Sequence, residues 1–244
     1  MNDMPARSEG WRLPAGAEPI LSLFGSDQAI DELRILGSRI GRRLRPRTLP
    51  AGSNVMVIGC PRDLDGLGAG LVQALEARGC NVFVGCHWFK GLMREGQTAM
   101  AHRLKQQYLD ELPETLDAVI SVQTFLLDVM ATRSSLLWAS DRLPAARPHV
   151  VSLFASTSAV AALPRTLSDL SGSVPKILFE LSVEASENRS DMSARLSEAA
   201  GSWTVEDDIE LLPELVRHRR ERRRSLQIEP EPPTSAPSPS RRGG

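Results

Sequence analysis

Apolar positions recur at helical spacing near the start of the chain and then cluster in short runs. Between residues 30 and 44 the apolar side chains lie three or four positions apart, with charged side chains between them. This spacing predicts an amphipathic helix that packs one face on a core. The members of that face are Ile30, Leu33, Leu36, Ile40 and Leu44.

Two apolar runs after this helix predict buried strands. They are NVMVIGC at 54–60 and NVFVGCHWF at 81–89, and LVQALEARG between them predicts a short helix that ends at Gly79. A strand, a helix and a second strand in that order favour parallel pairing.

A second unit of the same order follows. The apolar run DAVISVQTFLL begins it, a helix from about Ser135 to Leu143 continues it, and HVVSLF at 149–154 ends it. We therefore predict an α/β protein with a mostly parallel central sheet flanked by helices.

The remaining segments have weaker patterns. We predict a short strand at 19–24, a mixture of loop and helix at 91–115, and a further strand within 167–181. Our predicted division of the chain is a flexible leader at 1–17, the α/β domain at 18–205, an Arg-rich helix at 206–228, and a disordered Pro/Ser tail at 229–244.

Composition limits the class of protein. The net charge is −1, so attraction to a polyanion must come from local clusters. No apolar run reaches the roughly 20 residues that a bilayer span needs, and the opening residues lack a signal peptide's apolar core. The three cysteines have no CxxC pair and lie in or beside strand-like runs. We therefore expect a reduced cytoplasmic protein without a metal site.

The glycine-rich segment PRDLDGLGAG at 61–70 is predicted to be a loop and is the first candidate site. Glycines let a backbone approach a phosphate closely, and Arg62, Gly66 and Gly68 are the candidate contacts. Asp63 and Asp65 would repel phosphate unless they face a metal or a ribose. The spacing matches neither GxGxxG nor a P-loop, so an ordinary connection from strand to helix remains an alternative.

The second candidate site runs from Asp128 to Ser135. It combines an acid with the hydroxyls of Thr132, Ser134 and Ser135 at a predicted helix start, where N–H groups and the helix dipole favour phosphate. The alternative is a helix capped by Ser134 with Asp128 as a turn residue.

The order of elements and both segments resemble a type I phosphoribosyltransferase of the purine or hypoxanthine type. IGCPRDLDGLGAGLVQAL resembles the family's pyrophosphate loop and the helix after it, and DVMATRSSLL resembles its PRPP signature. AEPILSLFGSDQAIDELRILGSRI is similar to the opening of hypoxanthine-type members. The resemblance covers residues 19–155 and implies a phosphoribosyltransferase-like fold.

The resemblance places Asp128 at the second ribose-binding acid, and Thr132 and Ser135 at ligands of the 5′-phosphate. Two residues depart from the pattern: Leu127 replaces the first acid, and Arg133 replaces a glycine. A second register, with 62–71 laid on the PRPP signature, stays open but leaves the second unit unexplained.

These departures predict a phosphoribosyltransferase-like protein with drifted or lost catalysis that acts as a PRPP- or nucleotide-binding regulatory or structural subunit. Mg²⁺ would accompany bound PRPP only. One alternative is an active purine-type phosphoribosyltransferase, and another is an interaction module that recruits a partner through its basic C-terminal helix.

RHRRERRR at 217–224 carries the strongest local charge. Such a run can bind an acidic protein or a nucleic-acid backbone, although a solvated helix end is an equal alternative. A homo-oligomer is a further candidate assembly. The candidate partner-binding residues are Arg219, Arg220, Arg222, Arg223 and Arg224.

Overall fold

The structure is a computed structural model that describes residues 27–44, 49–92, 101–126, 129–142, 146–155, 157–167, 176–182 and 212–227. The helices are α1 (Asp27–Arg43), α2 (Pro61–Asp63), α3 (Ala69–Ala77), α4 (Val129–Arg142), α5 (Thr157–Leu167) and α6 (Glu214–Gln227). A π-helical segment, Leu64–Gly68, joins α2 to α3. The strands are β1 (Asn54–Gly59), β2 (Asn81–Leu92), β3 (Ala101–Leu109), β4 (Ala118–Leu126), β5 (Arg147–Ala155) and β6 (Lys176–Ser182).

These strands form one six-stranded sheet in the order β3-β2-β1-β4-β5-β6. β1 pairs in parallel with β2 and β4, and β5 pairs in parallel with β4 and β6. Only the pair of β2 with β3 is antiparallel among these strands. The predicted α/β class with a mostly parallel sheet is therefore confirmed.

Side chains of β1 alternate between two apolar cores, one on each face of the sheet. Val55 and Val57 join the core that contains residues of α1, α3 and α6. Met56 and Ile58 join the other core, to which α4 and α5 contribute. Helices therefore cover both faces, which explains why the central strands are almost continuously apolar.

The predicted amphipathic helix is confirmed as α1. Four of its five predicted core positions, Leu33, Leu36, Ile40 and Leu44, are buried, and Ile30 is partly buried against the same core. The predicted strand at 19–24 lies outside the described residues, and β6 confirms the strand expected within 167–181.

The prediction of loop and helix at 91–115 was wrong for part of that segment. Residues 101–109 form β3, which lies at the sheet edge and pairs with β2 alone in the sheet. An edge strand has only one neighbour, so it needs less apolar sequence than a central strand. Among the described residues, no helix is long and apolar enough to cross a membrane.

Candidate ligand site at the carboxyl ends of β1 and β4

The sheet has a topological switch point between β1 and β4. From β1 the chain passes through α3 on one face to β2, and from β4 it passes through α4 on the other face to β5. Crevices at such points, at the carboxyl ends of parallel strands, are where α/β sheets bind ligands. Both segments singled out in the sequence follow these two strand ends, so the fold brings them to one edge of the sheet.

The glycine-rich segment is helical, so the prediction of a loop there was wrong. Pro61 begins α2 directly after Cys60, and π-helical and α-helical turns continue without a break to Ala77. Leu64, Leu67 and Leu71 are fully buried at helical spacing. Their burial against the core stabilises a helix where a phosphate loop would stay extended.

The glycines of this segment allow close contact with other parts of the backbone. A β-carbon on Gly66 would lie 2.9 Å from the Leu33 Cβ, and one on Gly70 would lie 1.8 Å from the Arg34 carbonyl oxygen. A β-carbon on Gly68 would lie 3.0 Å from the carbonyl oxygen of Asp63. The glycines are thus explained by packing, at Gly66 and Gly70 against α1. Arg62, the predicted anion contact, is half-buried in α2.

Asp63 bridges the switch point. Its buried carboxylate accepts a hydrogen bond of 2.8 Å from the Thr124 backbone N–H, which lies near the end of β4. The turn after β1 is thereby tied to the neighbouring strand by the protein's own acid. An anionic ligand at this edge would meet that carboxylate as well as Arg62.

The three hydroxyls predicted to hold phosphate lie within α4. This helix begins at Val129 rather than near Ser135, and Asp128 lies outside the described residues. Ser134 Oγ donates to the Met130 carbonyl oxygen at 2.9 Å, and Ser135 Oγ lies 3.1 Å from His87 Nδ1. Thr132 is fully buried.

Arg133 anchors α4 to the neighbouring helix. Its Nε donates to the carbonyl oxygen of Thr166 in α5 at 3.2 Å. Arg133, which stands where the resemblance expects a glycine, therefore has a structural contact of its own. Leu127, the other departure, lies outside the described residues.

Sequence reasoning missed the contacts around His87. This side chain lies in β2, is fully buried, and faces α4, where its ring meets the Trp138 ring edge-on at 4.9 Å. The alternation along β2 provides a signal that was available, because His87 falls on the face opposite Cys86 and Trp88. A polar ring on a buried strand face needs a hydrogen-bond partner, and the Ser135 hydroxyl lies within reach of it.

The Arg-rich helix folds back onto the domain. Arg219 donates to Asp110 at 2.7 Å and to Glu76 at 2.6 Å, and also to the carbonyl oxygen of Val82 at 2.9 Å. Arg223 pairs with Glu111 at 2.8 Å. Among the predicted partner-binding residues, Arg219 and Arg223 therefore have intramolecular partners.

The other predicted partner-binding residues differ in exposure. Arg220 places its guanidinium 5.1 Å from the centre of the Tyr108 ring, whereas Arg222 and Arg224 are exposed. The partner-binding role of all five arginines stays a prediction.

A carboxylate from the glycine-rich segment receives the start of α6. Asp65 accepts a hydrogen bond of 3.2 Å from the Leu215 N–H. Burial raises the pKa of the Asp65 carboxyl, although hydrogen bonds from the backbone of Glu214 and Leu215 act in the opposite direction. Arg34 donates to the Asp65 carbonyl oxygen at 2.8 Å and to the Glu214 carboxylate at 2.5 Å, and this bond lowers the pKa of Glu214.

The cysteines form no disulfide. Cys80 and Cys86 are buried, and Cys60 is half-buried. Burial raises the pKa of the Cys86 thiol strongly, so this thiol is an unreactive core residue. Among the described residues, no group of three or more His, Cys, Asp or Glu side chains is placed to hold a metal ion.

Fold and site together define the class: a mixed α/β protein with a mostly parallel, six-stranded sheet and an edge at which α/β proteins commonly bind ligands. No protein-family model matches the chain. No curated protein matches it either.

Solved structures with a similar course of the chain include three from bacteria. A protein from Aquifex aeolicus is 12% identical, with 76% of this chain and 96% of that chain covered at a TM-score of 0.49. A hypoxanthine phosphoribosyltransferase from Staphylococcus aureus is 8% identical, with 63% and 73% covered at a TM-score of 0.44. A hypothetical protein from Neisseria gonorrhoeae with bound ppGpp is 14% identical, with 70% and 93% covered at a TM-score of 0.37.

Proposed function

We propose that this chain is a phosphoribosyltransferase-like protein that has lost catalysis and acts through binding, as a regulatory or structural subunit. The observation that carries the proposal is the position of Thr132, Ser134 and Ser135. The resemblance assigns Thr132 and Ser135 to a 5′-phosphate, yet all three residues lie inside α4.

Two of these hydroxyls already have partners, whereas the buried Thr132 Oγ1 has no hydrogen-bond partner among the described residues. Ser134 Oγ bonds to the carbonyl oxygen four residues earlier, and Ser135 Oγ contacts the His87 ring in the core. Turning the Ser135 hydroxyl toward a phosphate would break a hydrogen bond worth about 1 kcal/mol, and would leave the buried His87 nitrogen without that hydroxyl. The first turns of α4 would have to unwind before these groups could surround a phosphate.

The pyrophosphate side supports the same conclusion. Gly66 and Gly68 lie in a helical segment rather than in a loop, and the Asp63 carboxylate is held against β4. An enzyme that transfers a phosphoribosyl group needs hydrogen-bond donors and cations already positioned to stabilise the charge that develops in the transition state. Arg62 is the one cationic side chain among the predicted ligand contacts of this segment, and it is half-buried. We therefore expect weak binding of PRPP or a nucleotide, with Mg²⁺ present only together with PRPP.

A transfer assay tests the loss of catalysis. Radiolabelled PRPP, Mg²⁺ and a mixture of purine bases are incubated with the full chain, and nucleotide product is separated and counted. We expect no product above the background without protein. Turnover that disappears in Asp128→Asn would refute the proposal and would favour an active purine-type phosphoribosyltransferase.

Calorimetry with PRPP and Mg²⁺ tests the binding half. If Thr132, Ser134 and Ser135 hold no phosphate, Ser134→Ala leaves PRPP affinity within about twofold of wild type, because its hydroxyl serves only the helix. Arg62→Gln weakens any binding by about tenfold, because a charged hydrogen bond is removed. A large loss with Ser134→Ala would mean that α4 opens around the ligand, and would contradict the proposal.

A further inference from the structure

A basic groove lies between β3 and α6, apart from the switch point. Its volume is about 430 Å³, which falls in the usual range for small-ligand sites. The lining residues are Gln107, Tyr108, Leu109, Arg220, Arg223 and Arg224.

Three of these lining residues are arginines on one face of α6. Arg220, Arg223 and Arg224 are three and four positions apart, and that spacing places their side chains side by side. Arg223 pairs with Glu111, whose side chain is 81% exposed. Exposed pairs of this kind contribute little, so the carboxylate is readily exchanged for another anion. Arg224 makes no ion pair within the part of the chain that the structure describes.

Asp110, an acid beside the groove, already has two hydrogen-bond partners. Asp110 accepts a hydrogen bond of 2.5 Å from the Tyr108 hydroxyl and one of 2.7 Å from Arg219. Arg220 lies over the face of the Tyr108 ring, 5.1 Å from its centre. These contacts fix one wall of the groove. Within the described part of the chain, Glu111 is the carboxylate that pairs with one of the three groove arginines, Arg223.

We propose that this groove binds a small anion with two or more linked phosphate groups. Guanidinium groups match phosphate oxygens with paired N–H donors, and each can hold one phosphate. Three adjacent cations repel one another, so a compact multivalent anion gains more here than a single carboxylate does. The volume fits a small ligand, and the proposal is independent of the switch-point site.

Isothermal titration of the full chain with inorganic tripolyphosphate tests this site. At low ionic strength we expect saturable binding that weakens as salt is added, because the groove is open to screening. Arg220→Gln, Arg223→Gln and Arg224→Gln should each reduce affinity about tenfold, the effect of one lost charged hydrogen bond. The combined triple variant should show no measurable binding.

Arg222→Gln is the matched control, since it removes the same charge from the same helix but lies outside the groove. Its affinity should stay within about twofold of wild type, apart from the small effect of overall charge. Circular dichroism of each variant verifies that α6 remains folded, which is expected because the buried Val216 and the Arg219 network dock that helix.

Two results would overturn the proposal. One is the absence of tripolyphosphate binding, or equal losses in Arg222→Gln and the groove variants. The other is binding of an acidic peptide or an oligonucleotide through these arginines without tripolyphosphate binding, which would assign the surface to a macromolecule. PRPP also carries linked phosphates, so its titrations are repeated in the triple groove variant, which leaves Arg62 and α4 intact. PRPP binding that persists in that variant belongs to the switch-point edge, and the two proposals therefore succeed or fail separately.

Discussion

Replacement of Gly70 by alanine separates helix propensity from packing, because the two predict opposite signs. Gly70 lies in α3 in a helical conformation, so propensity alone predicts stabilisation by about 1 kcal/mol. A β-carbon at this position would lie 1.8 Å from the Arg34 carbonyl oxygen and 2.8 Å from the Ser38 backbone nitrogen. Both atoms belong to the backbone of α1, so neither can rotate away.

The size of the effect follows from how far the helices must part. Real β-carbons almost never approach another heavy atom within 3.0 Å, so α1 must recede by at least about 1.2 Å, the difference between that limit and 1.8 Å. A gap of this size removes a large part of the dispersion energy between the facing leucines. Overpacking costs about 3 kcal/mol at the upper end of its usual range. After the gain in propensity, the net loss is about 2 kcal/mol.

Thermal and urea unfolding followed by circular dichroism measure this loss. For a chain of this size the midpoint should fall by about 4–8 °C. Gln73→Ala is the control, because Gln73 is exposed on the same helix and should change stability by less than about 0.5 kcal/mol. An unchanged or raised midpoint in Gly70→Ala would refute the close contact of α1 with α3. It would also reopen the interpretation of these glycines as a phosphate loop.

Three further predictions concern the contacts around α4 and α6. Arg219→Met should destabilise α6 by about 1–2 kcal/mol, because it removes two ion pairs and a hydrogen bond to the backbone. Hydrogen exchange of the α6 amides should therefore accelerate. Arg222→Met, at an exposed position of the same helix, should change neither stability nor exchange. Ser135→Ala should cost about 1 kcal/mol in urea unfolding because it removes the hydroxyl that contacts the buried His87 ring, whereas Ser134→Ala should be near neutral. Equal costs would contradict the assigned partners. Burial raises the pKa of Asp65, so the folded state holds a proton on this carboxyl more readily than the unfolded state does. The resulting stabilisation of the fold is complete below pH 3.8, the ordinary pKa of the group, and is lost as pH rises through the folded pKa. Asp65→Asn should abolish that decline in unfolding experiments between about pH 4 and pH 7, and an unaltered pH profile would contradict the assignment.

The parts of the fold that repeat a strong period could be predicted from the sequence. α1 was predicted from five apolar positions, and the central strands were predicted from largely apolar runs, since burial on two faces favours such runs. β3 could not be predicted in the same way. It is an edge strand of mixed polarity, with the sequence AHRLKQQYL. Its pairing with β2 depends on tertiary contacts, which the local sequence pattern does not reveal.

The two candidate segments were misread for different reasons. In the glycine-rich segment, composition outweighed a helical signal that was present, since Leu64, Leu67 and Leu71 already had helical spacing. At the start of α4, the preference of serine for helix N-caps suggested that the helix begins near Ser134, but it begins at Val129. Contacts between distant positions lay beyond local pattern altogether. The bonds of Arg219 span 109 and 143 residues, and no spacing rule connects such positions.

The docking of α6 ties the switch-point edge to the basic groove through adjoining residues of one segment. Asp63 holds the end of β4, and Asp65, two residues later, receives the start of α6. α6 in turn carries the arginines that line the groove. A ligand that displaced Asp63 from β4 would therefore disturb a turn on which the position of α6 depends.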